Sequence, residues 1–336
     1  MIKGLSSLFI RSFIFLSLLA ILSASGAFLL FNHLWHKPLS HNEDQLIDIA
    51  KGTNHIQLAK QLSREGYVPS PWYYTAFRFG FSIVEQESFT PKAGEFLVPA
   101  RASIADLFAI IDKGISHQHR LAVIEGVSAR DVVIMLNKDK RMTGAILRIP
   151  QEGTLAPDTY FFVKGTNRAD MIARMQARQE LILAEEWANR GANASYDTPE
   201  EALIMASIIE KESGLAQEQP LVASVFLNRI AENMRLQSDA TVSYGIIEEE
   251  GAHRQVLKSD LEKDSPWNTY RRKGYPASAI GNPSRGAIKA ALNPMPSRYF
   301  YFVADGQGGH KFAKTYQEHK KNVRAYRRAL ANQKQE

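Results

Sequence analysis

Two carboxylates stand out in Ala206–Gly214, which reads A-S-I-I-E-K-E-S-G. They close an apolar run from Ala202 to Ile209 and are followed by a Ser-Gly stop. Apolar helices are built for burial, and Glu is rarely buried without a partner or a task. Glu210 and Glu212 are two residues apart, so on a helix they point roughly 200° away from each other. They cannot share one pocket as a catalytic pair, and at most one is an acid. Glu212 shares its face with the apolar Ile208 and Met205. It also falls in the last turn, where the negative end of the helix dipole disfavours a carboxylate. Both effects raise its pKa, as a general acid working near neutrality requires. Glu210 lies on the side of Ala206 and Leu203 and stays a second candidate.

Other chemistries lack their residues. There is no H-E-x-x-H, G-x-S-x-G or S-x-x-K, and no phosphate loop ending in G-K-[ST]. Cysteine is absent, which excludes disulfides and thiolate metal sites. The histidines are scattered, with no ligand-like pairing apart from His117 and His119, which read as surface residues of a polar loop. Neither a metal nor an organic cofactor is expected. One carboxyl suffices for a lytic transglycosylase, which protonates a glycosidic oxygen and then acts as base on the sugar's own C6 hydroxyl. Most glycosidases instead need two carboxylates. A sugar site also needs aromatic faces with amides and hydroxyls. Gln237, Asp239, Thr241, Tyr244, Trp267, Asn268, Thr269 and Tyr270 offer these.

The elements that must carry these residues follow from the pattern. Ser12–Phe31 holds no charge and is about as long as a bilayer crossing. Lys3 and Arg11 precede it, which puts the N-terminus on the cytoplasmic side. A cleaved signal peptide with Ser23-Ala24-Ser25 as its site is the competing reading. Phe28–Phe31 continue the apolar run past that site and favour an anchor. Beyond the linker, Gln45–Ala50 predicts a strand, and Thr53 caps a helix closed by Gly66. Pro71–Phe79 predicts a helix stopped by Gly80. Ala93–Val98 predicts a second strand, and Ser103 with Asp106 opens a helix ending at Gly114. A new strand starts at Leu121–Gly126, with a helix over Ser128–Leu136 and a long amphipathic one over Asp170–Trp187. Thr198 and Glu201 form a capping box for the helix that bears the two carboxylates. Pro220–Asn233 follows as a helix, with Val222, Val225, Phe226 and Arg229 repeating on one face. Beyond Asn233 the chain reads as loop-rich until a strand at Arg298–Ala304 and a hairpin turn at Asp305–Gly309. The net charge of +6 favours anionic partners. Its densest run, Lys311–Arg328, reads as an exposed helix with a solvated face rather than a nucleic-acid stripe.

Several stretches together resemble the YceG-like (MltG-type) endolytic murein transglycosylases. They are Met205–Ser213, Val222–Arg229, Met234–Gly245, Asn268-Thr269-Tyr270 and Tyr301–Phe312, in this order and spacing. The resemblance implies an α+β protein. A cytoplasmic N-terminus (1–11) and a transmembrane helix (12–34) would precede a LysM-like β-α-α-β subdomain (45–120) and a catalytic domain (121–336). It places the family's catalytic acid on Glu212. Gln237, Asp239, Tyr244, Asn268, Tyr270 and His310 are the expected substrate-binding residues. It further implies a single-pass inner-membrane protein with a periplasmic catalytic domain. The implied reaction cuts nascent glycan strands between N-acetylmuramic acid and N-acetylglucosamine and leaves 1,6-anhydro ends. Peptidoglycan synthases would be its neighbours, and nucleic acid has no part. A non-catalytic cell-wall scaffold and a water-using muramidase with Asp239 as second carboxylate are the alternatives. Two departures touch loop shape: Ala240 replaces a frequent Pro, and Pro276–Ser284 lacks one Pro and two Gly of the family's loop.

Overall fold

The computed structural model describes residues 2–84, 86, 88–251 and 253–333. They form two compact units, residues 1–119 and 120–336. The architecture is mixed α+β with a long apolar helix in front.

Unit 1 opens with α1 (Ile2–His36). Its segment Arg11–His36 is long and apolar enough to cross a membrane. Strand β1 (Gln45–Ile49), helices α2 (His55–Arg64) and α3 (Pro71–Val84), strand β2 (Gly94–Val98) and helix α4 (Ile104–Lys113) follow. The strands pair antiparallel with Ile47 opposite Phe96, so the alternating pattern sends both into the core. Helix α4 starts and stops where its sequence predicts. Ser103 and Asp106 form the capping box, and Gly114 closes the helix at φ 68°. Three expectations fail here. The cap of α2 is Asn54, because the Thr53 hydroxyl bonds back to the Ala50 carbonyl at 2.8 Å. Helix α3 runs through Gly80 instead of stopping, because Gly80 is where Phe31 of α1 packs and a Cβ there would overlap its ring. His119 is buried, not on the surface, with its ring paired to the Glu95 carboxylate.

In unit 2, β3 (His119–Ala122) starts at the boundary, precedes α5 (Ala129–Lys138) and pairs with β4 (Thr159–Phe162). The core is organised on α7 (Pro199–Glu212), which packs against α6 (Arg168–Ala188), α8 (Gln219–Ala231), α9 (Asp239–Glu250) and α11 (Arg285–Leu292). Met205, Ala206, Ile208 and Ile209 of α7 have no exposed surface, so its apolar residues are buried on nearly every side. Thr198 caps α7, but the Glu201 carboxylate reaches the amide of Asp197 rather than that of Thr198, so the reciprocal box is not closed. The stretch expected to be loop-rich holds α9, the short α10 (Lys258–Glu262) and α11. The hairpin is present: β5 (Tyr301–Ala304) pairs with β6 (His310–Ala313), Phe302 opposite Phe312. Asp305 fixes its turn by accepting from the amides of Gln307 and Gly309. Helix α12 (Tyr316–Gln333) packs on both strands.

Candidate active site

The two carboxylates of α7 part company. Glu210 accepts the amide of Ser284 at 2.8 Å and its hydroxyl at 2.5 Å, and Ser284 caps α11. Glu210 is therefore tied up in joining two helices. Glu212 is the last residue of α7 and half-buried, and its Oε1 accepts the hydroxyl of Ser238 at 2.5 Å.

Ser238 is held by a small hydroxyl network. Its amide donates to Thr269 Oγ1 at 3.0 Å, its carbonyl accepts from Thr241, and the two threonine hydroxyls meet at 2.8 Å. The residue before it, Gln237, sits in the left-handed region at φ 54°, a conformation that costs a non-glycine residue free energy. Arg229 secures the loop leading there. Buried on α8, it donates to the carbonyls of Leu236 (2.5 Å), Arg235 (3.3 Å) and Phe300 (2.7 Å). One guanidinium thus links the loop to the strand segment opposite, which its planar fork of donors suits.

These groups surround a cavity of about 330 Å³. Glu212, Gln237, Asp239 and Tyr270 line one part of it, and the Tyr270 hydroxyl donates to Asp239 at 2.6 Å. Tyr301 and Phe302 of β5 with Tyr316 and His319 of α12 form the aromatic wall. A larger groove of about 610 Å³ in unit 1 holds His55 and Arg78, and no carboxyl lines it among the described residues. No cluster of three metal-ligating side chains occurs among the described residues.

Burial pushes the pKa of Glu212 above the ordinary carboxylate value, and the nearby Asp239 charge adds to this. The Ser238 hydrogen bond and the positive charges of His310 and Arg229 pull the other way without cancelling it. Burial also raises Tyr270, helped by its bond to Asp239, so its hydroxyl stays a donor. Burial lowers Arg229.

Of the residues expected in the site, Gln237, Asp239 and Tyr270 meet Glu212 around the cavity. Tyr244, Asn268 and His310 are not among its lining. Tyr244 is buried, donates to Glu152 at 3.2 Å and packs edge-on against Trp267. Asn268 is 1% exposed and spends its amide on the carbonyls of Asp260, Leu261 and Lys263. His310 is bound through Nδ1 to Glu218 at 2.7 Å and acts on Glu212 only through its charge. Arg229, Ser238, Tyr301, Tyr316 and His319 were not expected in the site. Arg229 had left a signal, as a charge repeating with Val222, Val225 and Phe226 on an apolar face. The α12 residues left none beyond aromatic residues in a basic run.

A family model described as the YceG-like family matches residues 47–325. The chain belongs to the YceG-like family. It is similar to the endolytic murein transglycosylase of Bacillus subtilis (strain 168), 35% identical over 181 residues, covering 54% of this chain and 49% of that one. It is also similar to the endolytic murein transglycosylase of Streptococcus pneumoniae (serotype 2, strain D39), 31% identical over 184 residues, covering 54% of this chain and 33% of that one. The matched stretch thus spans about half of the first relative and a third of the second. A solved yceG-like protein from Listeria monocytogenes is 26% identical, with TM-score 0.49, covering 83% of this chain and 99% of that one.

The E-K-E-S stretch of this chain is therefore the end of a buried helix. It delivers one carboxylate to the fold and the other to a cavity. A carboxyl whose pKa is raised by burial and that accepts one hydroxyl can give a proton to a polar oxygen entering that cavity, then take one back. The aromatic wall presents flat faces on which rings can stack, and Gln237, Asp239 and Tyr270 place polar groups in the same cavity.

Proposed function

We propose that this chain is an endolytic peptidoglycan lytic transglycosylase with Glu212 as its only acid–base residue. Protonated Glu212 donates to the glycosidic oxygen between N-acetylmuramic acid and N-acetylglucosamine as the C1–O bond breaks. The resulting carboxylate then takes the proton of the muramyl C6 hydroxyl while O6 bonds to C1, leaving a 1,6-anhydro end. Protons and electron pairs balance without water or a second enzymic carboxylate. Gln237, Asp239 and Tyr270 orient the strand. Unit 1 from residue 45 onward serves as the LysM-like module. Helix α1 anchors the chain in the inner membrane, with residues 1–11 cytoplasmic and unit 2 periplasmic, near the glycan synthases.

The observation that carries this reading is Glu212 itself: half-buried, raised in pKa and opening into an aromatic-walled cavity, while Glu210 is consumed by α11. The names of the relatives support the substrate class. The test is to incubate the chain with uncrosslinked peptidoglycan and identify the products by mass spectrometry, beside Glu212→Gln. Internal fragments with anhydro ends are expected from the wild type, and a loss of about 10²–10⁴-fold in the variant. Reducing ends would replace the proposal with hydrolysis, for which Asp239 in the same cavity is the available base. Equal activity in the variant would remove Glu212 from the role, and no cleavage by either protein would favour a scaffold.

A further inference from the structure

Helix α3 carries an apolar stripe that the fold leaves uncovered. Trp72 and Phe79 are each 70% exposed and Ile83 is 64% exposed. Spacings of seven and eleven residues place all three on one side of the helix. Tyr74, Phe77 and Phe81 point the other way into the core of unit 1. Contiguous exposed apolar side chains of this size mark an interaction surface.

What lies against that stripe follows from α1. From Ser12 to Phe31 the helix rises about 30 Å, the thickness of a bilayer's hydrocarbon core. With Arg11 at one interface, Phe31 falls at the other. Phe31 is the residue that packs on Gly80, in the middle of α3. Trp35, one turn further from the membrane, reaches Phe108 of α4 with ring centroids 5.5 Å apart. Trp35 also packs on Phe77 and Phe81 of α3, so α3 lies against the end of α1 that leaves the bilayer, with its Trp72–Phe79–Ile83 side turned away from the core. Arg78 on the same helix supplies a cation for headgroup phosphates.

We propose that Trp72, Phe79 and Ile83 of α3 form a second membrane contact, bedding unit 1 into the headgroup region of the bilayer that α1 crosses. The proposal rests on the reading of α1 as a span. It makes the helix an interfacial element held flat beside a transmembrane one, with Trp72 in the belt where amphipathic rings collect.

The chain has no cysteine, so single labelling sites can be introduced cleanly. Phe79→Cys, Ile83→Cys and Leu22→Cys would each be labelled with the fluorophore NBD in the full chain. Each would be reconstituted into phosphatidylethanolamine–phosphatidylglycerol vesicles carrying nitroxide lipids. Phe79, Ile83 and Leu22 are all exposed in the fold, so the substitutions leave the core intact. Expected are probes at 79 and 83 shielded from aqueous iodide and quenched at a depth of roughly 5–10 Å, with the probe at 22 quenched deeper. Free iodide access at 79 and 83, with 22 still deep, would overturn the proposal and leave the stripe to a protein partner. A probe at 22 that lipid nitroxides do not quench would overturn the span itself, and the seat with it.

Discussion

Glu152 offers a quantitative test of how unit 2 is held together. Its carboxyl is 9% exposed and accepts the amide of Ala129, at the start of α5, at 2.8 Å and the hydroxyl of Tyr244, on α9, at 3.2 Å. Burial pushes its pKa from 4.5 up to about 7, against those hydrogen bonds. The folded pKa lies above the unfolded one, so the folded state binds the proton more tightly. Its contribution to stability is fully present below about pH 4.5 and is lost as pH rises through about 7. At 1.36 kcal/mol per pH unit, the loss comes to about 3 kcal/mol. Glu152→Gln keeps the carbonyl acceptor for Ala129 and has no charge to bury. The variant should match the wild type near pH 4.5 and exceed it by up to about 3 kcal/mol near pH 8. Denaturant unfolding followed through Trp187 and Trp267, the two tryptophans of unit 2, reads this directly. Parallel pH profiles for the two proteins, or a variant less stable at the alkaline end, would refute the reasoning.

Four further outcomes concern the site and the residues that support it. Ser238→Ala removes the hydrogen bond that lowers the Glu212 pKa, so the alkaline limb of kcat/KM should move to higher pH. Asp239→Asn removes a charge that raises it, so the limb should move to lower pH; profiles on uncrosslinked glycan that shift the same way would contradict this electrostatic account. Arg229→Ala strips donors from three carbonyls and should destabilise unit 2 by about 3 kcal/mol, visible as a lower unfolding midpoint and faster proteolysis around Arg235–Gln237. Asn268→Ala should cost about 2 kcal/mol of stability and leave KM unchanged, whereas a rise in KM in the folded variant would return Asn268 to the substrate.

Features legible in the sequence are those whose partners lie close along the chain. The capping of α4 by Ser103, Asp106 and Gly114 is of this kind, since each bond spans three or four residues. So is the turn at Asp305–Gly309. The opposite directions of Glu210 and Glu212 follow from helix geometry alone, and the structure gives them separate neighbours. Gly80 misleads because its neighbour, Phe31, is far away in sequence. Helix α9 leaves no helical period in the sequence because Thr241, Val242, Tyr244, Gly245 and Ile246 are buried together, so no polar stripe alternates with an apolar one. Tyr244, Asn268 and His310 have the chemistry of sugar contacts. Their hydrogen-bond partners hold them outside the cavity lining, and two of those partners, Glu152 and Glu218, are some ninety residues away.

The cavity wall made by β5 and α12 also bears on when the site comes into being. Glu212 leaves the ribosome about a hundred residues before Tyr316 and His319, and chains emerge N-terminus first. Until the hairpin and α12 dock, the aromatic wall of the cavity beside Glu212 is missing, and with it part of the burial that raises the Glu212 pKa. Contacts this far apart in sequence are also slow to form. On the proposed function, the site is therefore completed late in folding, when the last elements of unit 2 dock.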